Sequence, residues 1–187
     1  MQEEIDFILD TAKESMDKSI KHLENALSKI RAGKASPAML DGVMVDYYGS
    51  QTPLNQVSNV NTPDARTISI QPWEKAMLEP IERAIINANL GLNPQNNGEL
   101  VMINVPPLTE ERRKDLVKKV KAESEDAKVG IRNARKEAND EIKKLEKDGL
   151  SEDLSKDAEE EVQKLTNQYS DKVDSEVDRK EKDIMTV

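Results

Sequence analysis

Cysteine is absent from this 187-residue sequence, and histidine occurs once, as His22. Without cysteine, disulfide bonds, thiolate metal sites and cysteine nucleophiles are all excluded. A Ser-His-Asp triad or a histidine metal site would depend on His22 alone. Aromatic residues are also scarce, at 3% with one Phe and one Trp, so we do not expect a globule built around an aromatic core.

Long apolar runs are missing as well. None approaches the ~18 residues that a membrane span needs, and the opening MQEEIDFILD resembles neither a signal nor a transit peptide. No glycine-rich phosphate loop occurs, and no set of residues forms a catalytic constellation. We therefore expect a cytoplasmic protein that is not an enzyme, that holds no cofactor or metal, and that makes no membrane contact.

Charged residues, by contrast, make up 35% of the chain and favour long helices. From Ile5 to Ile30 the apolar residues recur at steps of three and four, the spacing of one stripe along an α-helix. We expect this helix to end at RAGKASP, where Gly33 can cap it and Pro37 cannot continue it.

Two further stripes predict two more long helices. One begins after Pro106 and Pro107 with Thr109 as N-cap and stops near Gly149, and the next begins at the N-cap Ser151. Their apolar positions are Leu116, Val120, Ala127, Ile131, Ala134, Ala138, Ile142 and Leu145, and then Leu154, Ala158, Val162, Leu165, Tyr169, Val173, Val177 and Ile184. Because each stripe is narrow, the helices must pack on one another, which predicts an elongated antiparallel three-helix bundle.

The segment between the first two helices has a different composition. It holds nearly all the prolines and four strand-like runs, VMVDYYG, QVSNVN, RTISIQPW and ELVMINVP, with one helical run, KAMLEPIERAIINANLG, before the last. This order predicts a small β/α/β domain at residues 33–105, inserted into a bundle made of residues 1–32 and 106–187. The fold class is therefore α+β.

Two connecting segments, near residues 31–36 and 104–107, would join the inserted domain to the bundle. Such a double connection favours hinge motion in a restricted set of directions. The predicted hinge residues are Ala32, Gly33, Val105, Pro106 and Pro107.

The charge distribution is uneven, although the formal net charge is −9. Residues 112–136 contain ten Lys or Arg against four Asp or Glu, whereas residues 137–187 contain nine against seventeen. At about 100° per residue, Lys121, Lys128, Arg132 and Arg135 fall on one line of the second helix, away from its apolar stripe. This line suits a phosphate backbone; an ordinary solvated face with i,i+4 ion pairs remains the alternative.

Three aromatic residues, Tyr47, Tyr48 and Trp73, could stack on nucleic-acid bases. In strands such residues are more often core or cross-strand partners, and we favour that interpretation. His22, one residue before the stripe residue Leu23, is interpreted as a surface or boundary residue.

Four segments, SKIRAGKASPAMLDGVMVDYYG, LGLNPQNNG, PPLTEERRKDL and RNARKEAND, closely resemble bacterial ribosome recycling factors, and the resemblance spans essentially the whole chain. It implies a three-helix bundle with a β/α/β domain inserted through a hinge, in an L outline like that of tRNA. It also implies a monomeric, non-enzymatic translation factor that binds large-subunit rRNA of the post-termination ribosome. Elongation factor G, with GTP, would then separate the subunits.

The same resemblance assigns rRNA contacts to Arg31, Arg132 and Arg135. Lys34 and Lys136 stand where relatives commonly have arginine, and Arg112 and Arg113 match a motif that could serve the hinge or the rRNA. The predicted rRNA-binding set is Arg31, Lys34, Lys121, Lys128, Arg132, Arg135 and Lys136. Two other classes remain open: a coiled-coil chaperone or tether that binds partner helices, and a hydrolase centred on His22.

Overall fold

The computed structural model describes residues 1–186 and confirms the α+β class, with a helix bundle and a β domain. The described chain has four α-helices: α1 Gln2–Ser28, α2 Leu78–Asn87, α3 Glu110–Lys147 and α4 Glu152–Met185. It divides into two compact units, one of residues 1–32 with those from Glu110 onward, and one of Gly33–Thr109. The predicted second boundary, between residues 105 and 106, lies slightly before the observed one.

The bundle unit consists of α1, α3 and α4. The helix α3 begins directly after Thr109, and α4 begins after Ser151, whose hydroxyl oxygen accepts a hydrogen bond from the Leu154 backbone N–H at 3.3 Å. Between α3 and α4 the chain reverses at Gly149, with φ +111°. The helix α1 ends at Ser28 rather than at Gly33. Its last turn closes with two tighter hydrogen bonds, in which the Lys29 N–H donates to the Ala26 carbonyl at 3.3 Å and the Ile30 N–H donates to the Leu27 carbonyl at 3.1 Å.

Small residues make up half of the buried face of α3 and let α1 approach closely. Ala127, Ala134 and Ala138 are all buried, and a Cβ added to Gly130 would lie 2.5 Å from the Ser19 hydroxyl oxygen of α1. At one end of the bundle, Ile5 and other residues of α1 form an apolar cluster with α3, α4 and the turn between them: Ile5, Ile8, Ala12, Ala138, Ile142, Leu150, Ala158 and Val162.

The buried stripe of α4 differs from the predicted one at two places. Leu154 is exposed and Leu165 only half-buried, whereas Ser155 and Thr166 are buried. Both hydroxyl groups have acceptors: Ser155 donates to Glu146 of α3 at 2.8 Å, and Thr166 to the Val162 carbonyl at 2.8 Å. Burial of these short polar residues is tolerated because their hydrogen bonds are satisfied.

Tyr169 joins α4 to α1 in the interior of the bundle. Its side chain is 2% exposed, and its hydroxyl donates a hydrogen bond to a carboxylate oxygen of Asp17. The ammonium group of Lys172 lies 4.4 Å from the centre of its ring. Burial, with the hydrogen bond to Asp17, raises the pKa of Tyr169 to about 12.

The inserted unit contains six strands: β1 Met44–Tyr47, β2 Ser50–Pro53, β3 Ser58–Asp64, β4 Thr67–Pro72, β5 Pro94–Asn96 and β6 Val101–Asn104. The strands β1 and β2 form a hairpin, and the others form an antiparallel sheet in the order β3-β4-β6-β5. The short strands β2 and β5 were not predicted, because neither Ser50–Pro53 nor Pro94–Asn96 carries an apolar alternating pattern.

One face of the larger sheet packs against α2. Ile68, Ile70 and Ile103 from the sheet and Ile81 and Ile85 from α2 are all fully buried. The predicted helix at 75–91 begins later, at Leu78 after a 3₁₀ turn, and Pro80 lies in its first turn as expected. In the described residues, no helix is long and apolar enough to span a membrane.

We expect Tyr169→Phe to lower the free energy of unfolding by about 1–2 kcal/mol, since Asp17 loses a buried hydrogen-bond donor. The pKa of Tyr169 rises from 10.0 to about 12 on folding, so its contribution to stability is complete below pH 10 and disappears as the pH rises to about 12. Urea unfolding below pH 10 and between pH 10 and about 12 measures this effect. The free energy of unfolding should fall more steeply with rising pH for the wild type than for Tyr169→Phe. Equal pH profiles would contradict the role of the phenol, and Asp17→Asn, which keeps an acceptor, serves as the milder control.

A second prediction concerns Gly33, whose φ is +75° and whose added Cβ would lie 2.4 Å from Cγ of Leu108. Gly33→Ala should destabilise the inserted unit by about 2–4 kcal/mol, because left-handed strain and overpacking add together. Gly42 has φ +81° with nothing within 4 Å, so Gly42→Ala should cost only about 1–2 kcal/mol. Trp73 fluorescence during urea unfolding measures both, and equal losses would mean that the Leu108 contact is unimportant.

Candidate nucleic-acid interface

We call Lys121, Lys128, Arg132, Arg135 and Lys136 the basic ridge. All five lie on α3, and four of them are exposed to solvent, whereas Lys128 is half-buried. The burial of the small-residue face fixes the rotation of α3, so side chains on the far side of the helix must point outward. The ridge is therefore a consequence of which stripe of α3 is buried.

Lys128 has an ion-pair partner that the sequence interpretation missed. Its ammonium group lies 3.0 Å from a carboxylate oxygen of Asp174 on α4. Lys128 is therefore less available to a phosphate than its place in the line of cations on α3 suggests. The partner comes from another helix, and spacing along α3 cannot reveal it.

Arg132 is held loosely at the helix surface. Its side chain is 60% exposed, and its guanidinium lies 3.8 Å from Glu125, which is itself 69% exposed. Its Nε also donates a long hydrogen bond of 3.4 Å to the Lys128 carbonyl. An exposed pair at this distance contributes about 0–1 kcal/mol, so the guanidinium can exchange Glu125 for a phosphate at little cost.

Arg135, Lys136 and Lys121 are the most available members of the ridge. Each is exposed, and none forms an ion pair or side-chain hydrogen bond with any part of the chain that the structure describes. The same 100° repeat places Lys118 and Lys143 within about 80° of Lys128 on this side of α3. Both are exposed and were not predicted, although the helical arithmetic already contained them.

Arg31 and Lys34 lie on the segment that connects α1 to the inserted unit, which we call the first chain crossing. Arg31 is exposed in the bundle unit, whereas Lys34 is half-buried in the inserted unit and has a partner within the chain. Because α1 and α3 are antiparallel, with Ser19 beside Gly130, the end of α1 lies beside the first part of α3. Arg31 therefore belongs with the Lys121 end of the ridge.

The remaining predicted residues lie near the segment that connects the inserted unit to α3, which we call the second chain crossing. Arg113 is half-buried, and its Nε is a buried donor without a partner in the described chain, whereas Arg112 is exposed and has a partner. Val105 is buried in the core of the inserted unit, and its N–H donates to the Arg66 carbonyl at 2.7 Å. Of the predicted hinge residues here, only Pro106 and Pro107 are exposed.

No alternative site gains support from the geometry. His22 is exposed on α1 and has no hydrogen-bonded partner among the described residues. The same residues contain no group of three or more His, Cys, Asp or Glu that could hold a metal ion. The apolar stripes of the bundle helices are largely buried against one another, so they are not open to the helices of a client or tethered partner.

We favoured the interpretation that the aromatic residues are core or cross-strand partners, and this is wrong for Tyr48 and Trp73. Tyr48 is 75% exposed and Trp73 is 62% exposed, whereas only Tyr47 is partly buried against the core. Their exposure depends on the turn between β1 and β2 and on the end of β4, which strand patterning alone does not specify.

Comparisons with known proteins all lead to one family. The profile of the family described as "Ribosome recycling factor" matches residues 23–185. The ribosome-recycling factor of Flavobacterium johnsoniae is 64% identical over 187 residues, which is all of both chains. That of Porphyromonas gingivalis is 53% identical over 185 residues, covering 98% of this chain and all of the relative.

Two solved structures have the same fold. A solution structure of the ribosome recycling factor superposes with a TM-score of 0.71 at 38% identity, covering 98% of each chain. A second, described as models for the T. thermophilus ribosome recycling factor and the E. coli elongation factor G bound to the E. coli post-termination complex, superposes with a TM-score of 0.61 at 45% identity. It covers 97% of this chain and 99% of the other.

The pairing of Lys128 leads to a prediction. Asp174→Asn removes its carboxylate partner and one negative charge beside the ridge, so affinity for an RNA hairpin should rise by about two- to fivefold at low salt. Asp157→Asn makes the same charge change on an exposed residue of α4, about 25 Å closer to the start of the helix, and should have no effect. Fluorescence anisotropy measures both affinities, and an equal rise in the two variants would mean that only net charge matters.

Proposed function

The chain belongs to the ribosome recycling factor family and takes part in ribosome recycling, and we propose a specific activity for it. The protein binds the post-termination ribosome and, together with elongation factor G and GTP, separates it into its subunits. The observation that carries the proposal is the full-length identity to ribosome-recycling factors. The relative bound with elongation factor G to a post-termination complex supports the same partner here.

The protein acts in this scheme as a binding factor rather than as a catalyst. The sequence has no glycine-rich phosphate loop, so GTP hydrolysis belongs to elongation factor G. The chain supplies a stiff helical body on the ribosome and a second unit that receives the motion of its partner. It works as a monomer in the cytoplasm, where its substrate ribosomes are.

In this proposal the basic ridge contacts phosphates of large-subunit rRNA. Arginine is suited to the task because its planar guanidinium forms two parallel hydrogen bonds with phosphate oxygens. Arg132 and Arg135 carry such groups on the exposed side of α3, and Lys121 and Lys136 add point charges beside them. Arg31 and Lys34 extend the contact toward the first chain crossing.

The formal net charge of −9 does not oppose this contact. At physiological salt, charges are screened over about 8 Å, while a helix with its side chains is about 10–12 Å across. A phosphate at the ridge therefore responds mainly to the local cations of α3. Two carboxylates beside the ridge, those of Glu125 and Asp174, are already engaged with Arg132 and Lys128.

We assign the hinge to the two chain crossings, with Ala32 and Gly33 at one and Pro106 and Pro107 at the other. Val105 anchors the inserted unit just before the second crossing, because it is buried and hydrogen-bonded. Prolines have a fixed φ and make stiff connectors. Such connectors transmit a push between units better than a flexible chain does.

Light scattering from purified post-termination ribosomes tests the proposed activity directly. Scattering should fall when the protein, elongation factor G and GTP are all present, because the subunits separate. Omitting any one of them should leave the signal unchanged. A fall without elongation factor G, or no fall with all three, would contradict the proposal.

Arg132→Ala should weaken binding to large subunits by about 1–2 kcal/mol without changing the melting temperature. Wild-type affinity should fall about tenfold per threefold rise in salt concentration for each two or three phosphate contacts. The salt dependence of the variant should be weaker by the equivalent of about one contact. Lys156→Ala removes a cation from an exposed pair with Glu152 on α4 and is the matched control. Binding insensitive both to salt and to Arg132→Ala would rule out an electrostatic ridge.

The hinge makes a separate prediction. The double variant Pro106→Gly, Pro107→Gly should slow subunit separation several-fold while leaving affinity for large subunits near the wild-type value, since only transmission is impaired. Pro63→Gly, at an exposed position of β3, controls for the loss of a proline elsewhere in the unit. Stopped-flow scattering and a binding titration give the two quantities, and a wild-type rate of separation would count against the hinge.

A further inference from the structure

Four residues of the inserted unit form a compact surface cluster that the proposed function does not use. The Tyr47 hydroxyl donates to one carboxylate oxygen of Glu74 at 2.9 Å, and the Tyr48 hydroxyl donates to the other at 2.8 Å. The two rings meet edge to face, with centres 4.7 Å apart. Trp73 precedes Glu74 and is 62% exposed. We call Tyr47, Tyr48, Trp73 and Glu74 the aromatic cluster.

Tyr48 occupies a backbone conformation that does not suit it. The two-residue turn between β1 and β2 places Tyr48 at φ +49° and Gly49 at φ +88°. Turns of this kind favour Asn, Asp or Gly at both positions, and a bulky residue there costs about 1–2 kcal/mol. The Tyr48 side chain is 75% exposed, so burial does not offset the strain. Only surface interactions offset it, namely the ring contact with Tyr47 and the hydrogen bond to Glu74. A strained conformation that holds an exposed side chain in place indicates a functional role for that side chain.

A cleft of about 260 Å³ opens beside the cluster. Its lining includes Tyr47, Trp73, Glu74, Thr52 and Met77, and within the described chain no Lys or Arg side chain lines it. Lys75 follows Glu74 in sequence but does not reach the lining. The only formal charge in the cleft is therefore the carboxylate of Glu74.

The chemistry of the cleft selects a cation. Each Glu74 oxygen accepts one phenol and retains a second lone pair, so the carboxylate can still accept two parallel hydrogen bonds. Hydrogen bonding to Glu74 raises the pKa of both phenols above the ordinary value, which keeps them protonated as donors. Aromatic ring faces attract cations, and the carboxylate repels phosphate. A guanidinium group fits the two oxygens and the ring faces together, whereas a lysine ammonium matches only one oxygen at a time.

We propose that the aromatic cluster is a docking site for an arginine side chain on a basic segment of a partner protein. This goes beyond the proposed function, in which the basic ridge of α3 binds RNA. The two units then recognise opposite chemistries, with phosphates on the bundle and a protein cation on the inserted unit. Tyr and Trp are also the residue types that most often dominate protein interfaces.

The protein alone suffices for the first test, because Trp73 is the single tryptophan and its fluorescence reports on the site. Titration with N-acetyl-arginine amide should give a saturable change, and neither N-acetyl-citrulline amide nor inorganic phosphate should do so. Glu74→Gln should weaken arginine binding by about tenfold or more. The control Glu79→Gln, at an exposed residue of α2, should bind like the wild type. Equal binding of citrulline, or no effect of Glu74→Gln, would overturn the proposal.

A second variant separates docking from folding. Tyr48→Asn places a residue that tolerates φ > 0 in the turn, so its melting temperature should equal or exceed that of the wild type. Arginine binding should nevertheless weaken. A lower melting temperature with unchanged binding would make Tyr48 a structural residue and overturn its assignment.

The class of partner is tested on ribosomes. A photoreactive benzophenone side chain at Gln56, an exposed residue that lines the cleft, should cross-link to protein in purified post-termination complexes with elongation factor G. The cross-link should diminish in the Glu74→Gln background. Cross-links to RNA alone would contradict a protein partner. The titrations need no ribosome, so their outcome is independent of whether the proposed recycling activity holds.

Discussion

The packing of α3 between α1 and α4 is the constraint on which the bundle and its charge pattern depend. Small residues, with Gly130 beside Ser19 and Ala127, Ala134 and Ala138 on the buried face, let three long helices share one seam. Once this face is buried, the rotation of α3 about its axis is set. The cations of the ridge then lie on the solvent side, and Lys121, Arg135 and Lys136 do so without an ion pair in the described chain.

Electrostatic function in this protein is local because screening is short in comparison with the width of the bundle. An acidic chain can therefore present a cationic strip, provided that its carboxylates are elsewhere or already engaged. Asp174 illustrates the second case, since its pairing with Lys128 joins α3 to α4 and moderates the ridge at its centre. Arg135 and Lys136 remain outside such pairs and carry the open charge.

The inserted unit differs from the bundle in where it places its tyrosine residues. Its sheet and α2 bury aliphatic side chains, and two of its three aromatic residues are left at the surface around one carboxylate. Tyr48 adopts a strained turn conformation with little burial in return. Proteins tolerate such local conflicts mainly where a side chain serves recognition, which distinguishes this cluster from the hydrogen-bonded Tyr169 in the bundle interior.

Patterns within single segments of the amino-acid sequence were enough to predict the three long helices, the insertion between the first two and the line of cations on α3. Ser151 as a cap and Pro80 in a first turn were likewise readable from local chemistry. The folded structure was needed to show that Asp174 pairs with Lys128, that Ser155 and Thr166 replace Leu154 and Leu165 in the core, and that Tyr47 and Tyr48 meet at Glu74. Each of these depends on residues brought together from different elements, and spacing along one chain segment carries no information about such distances.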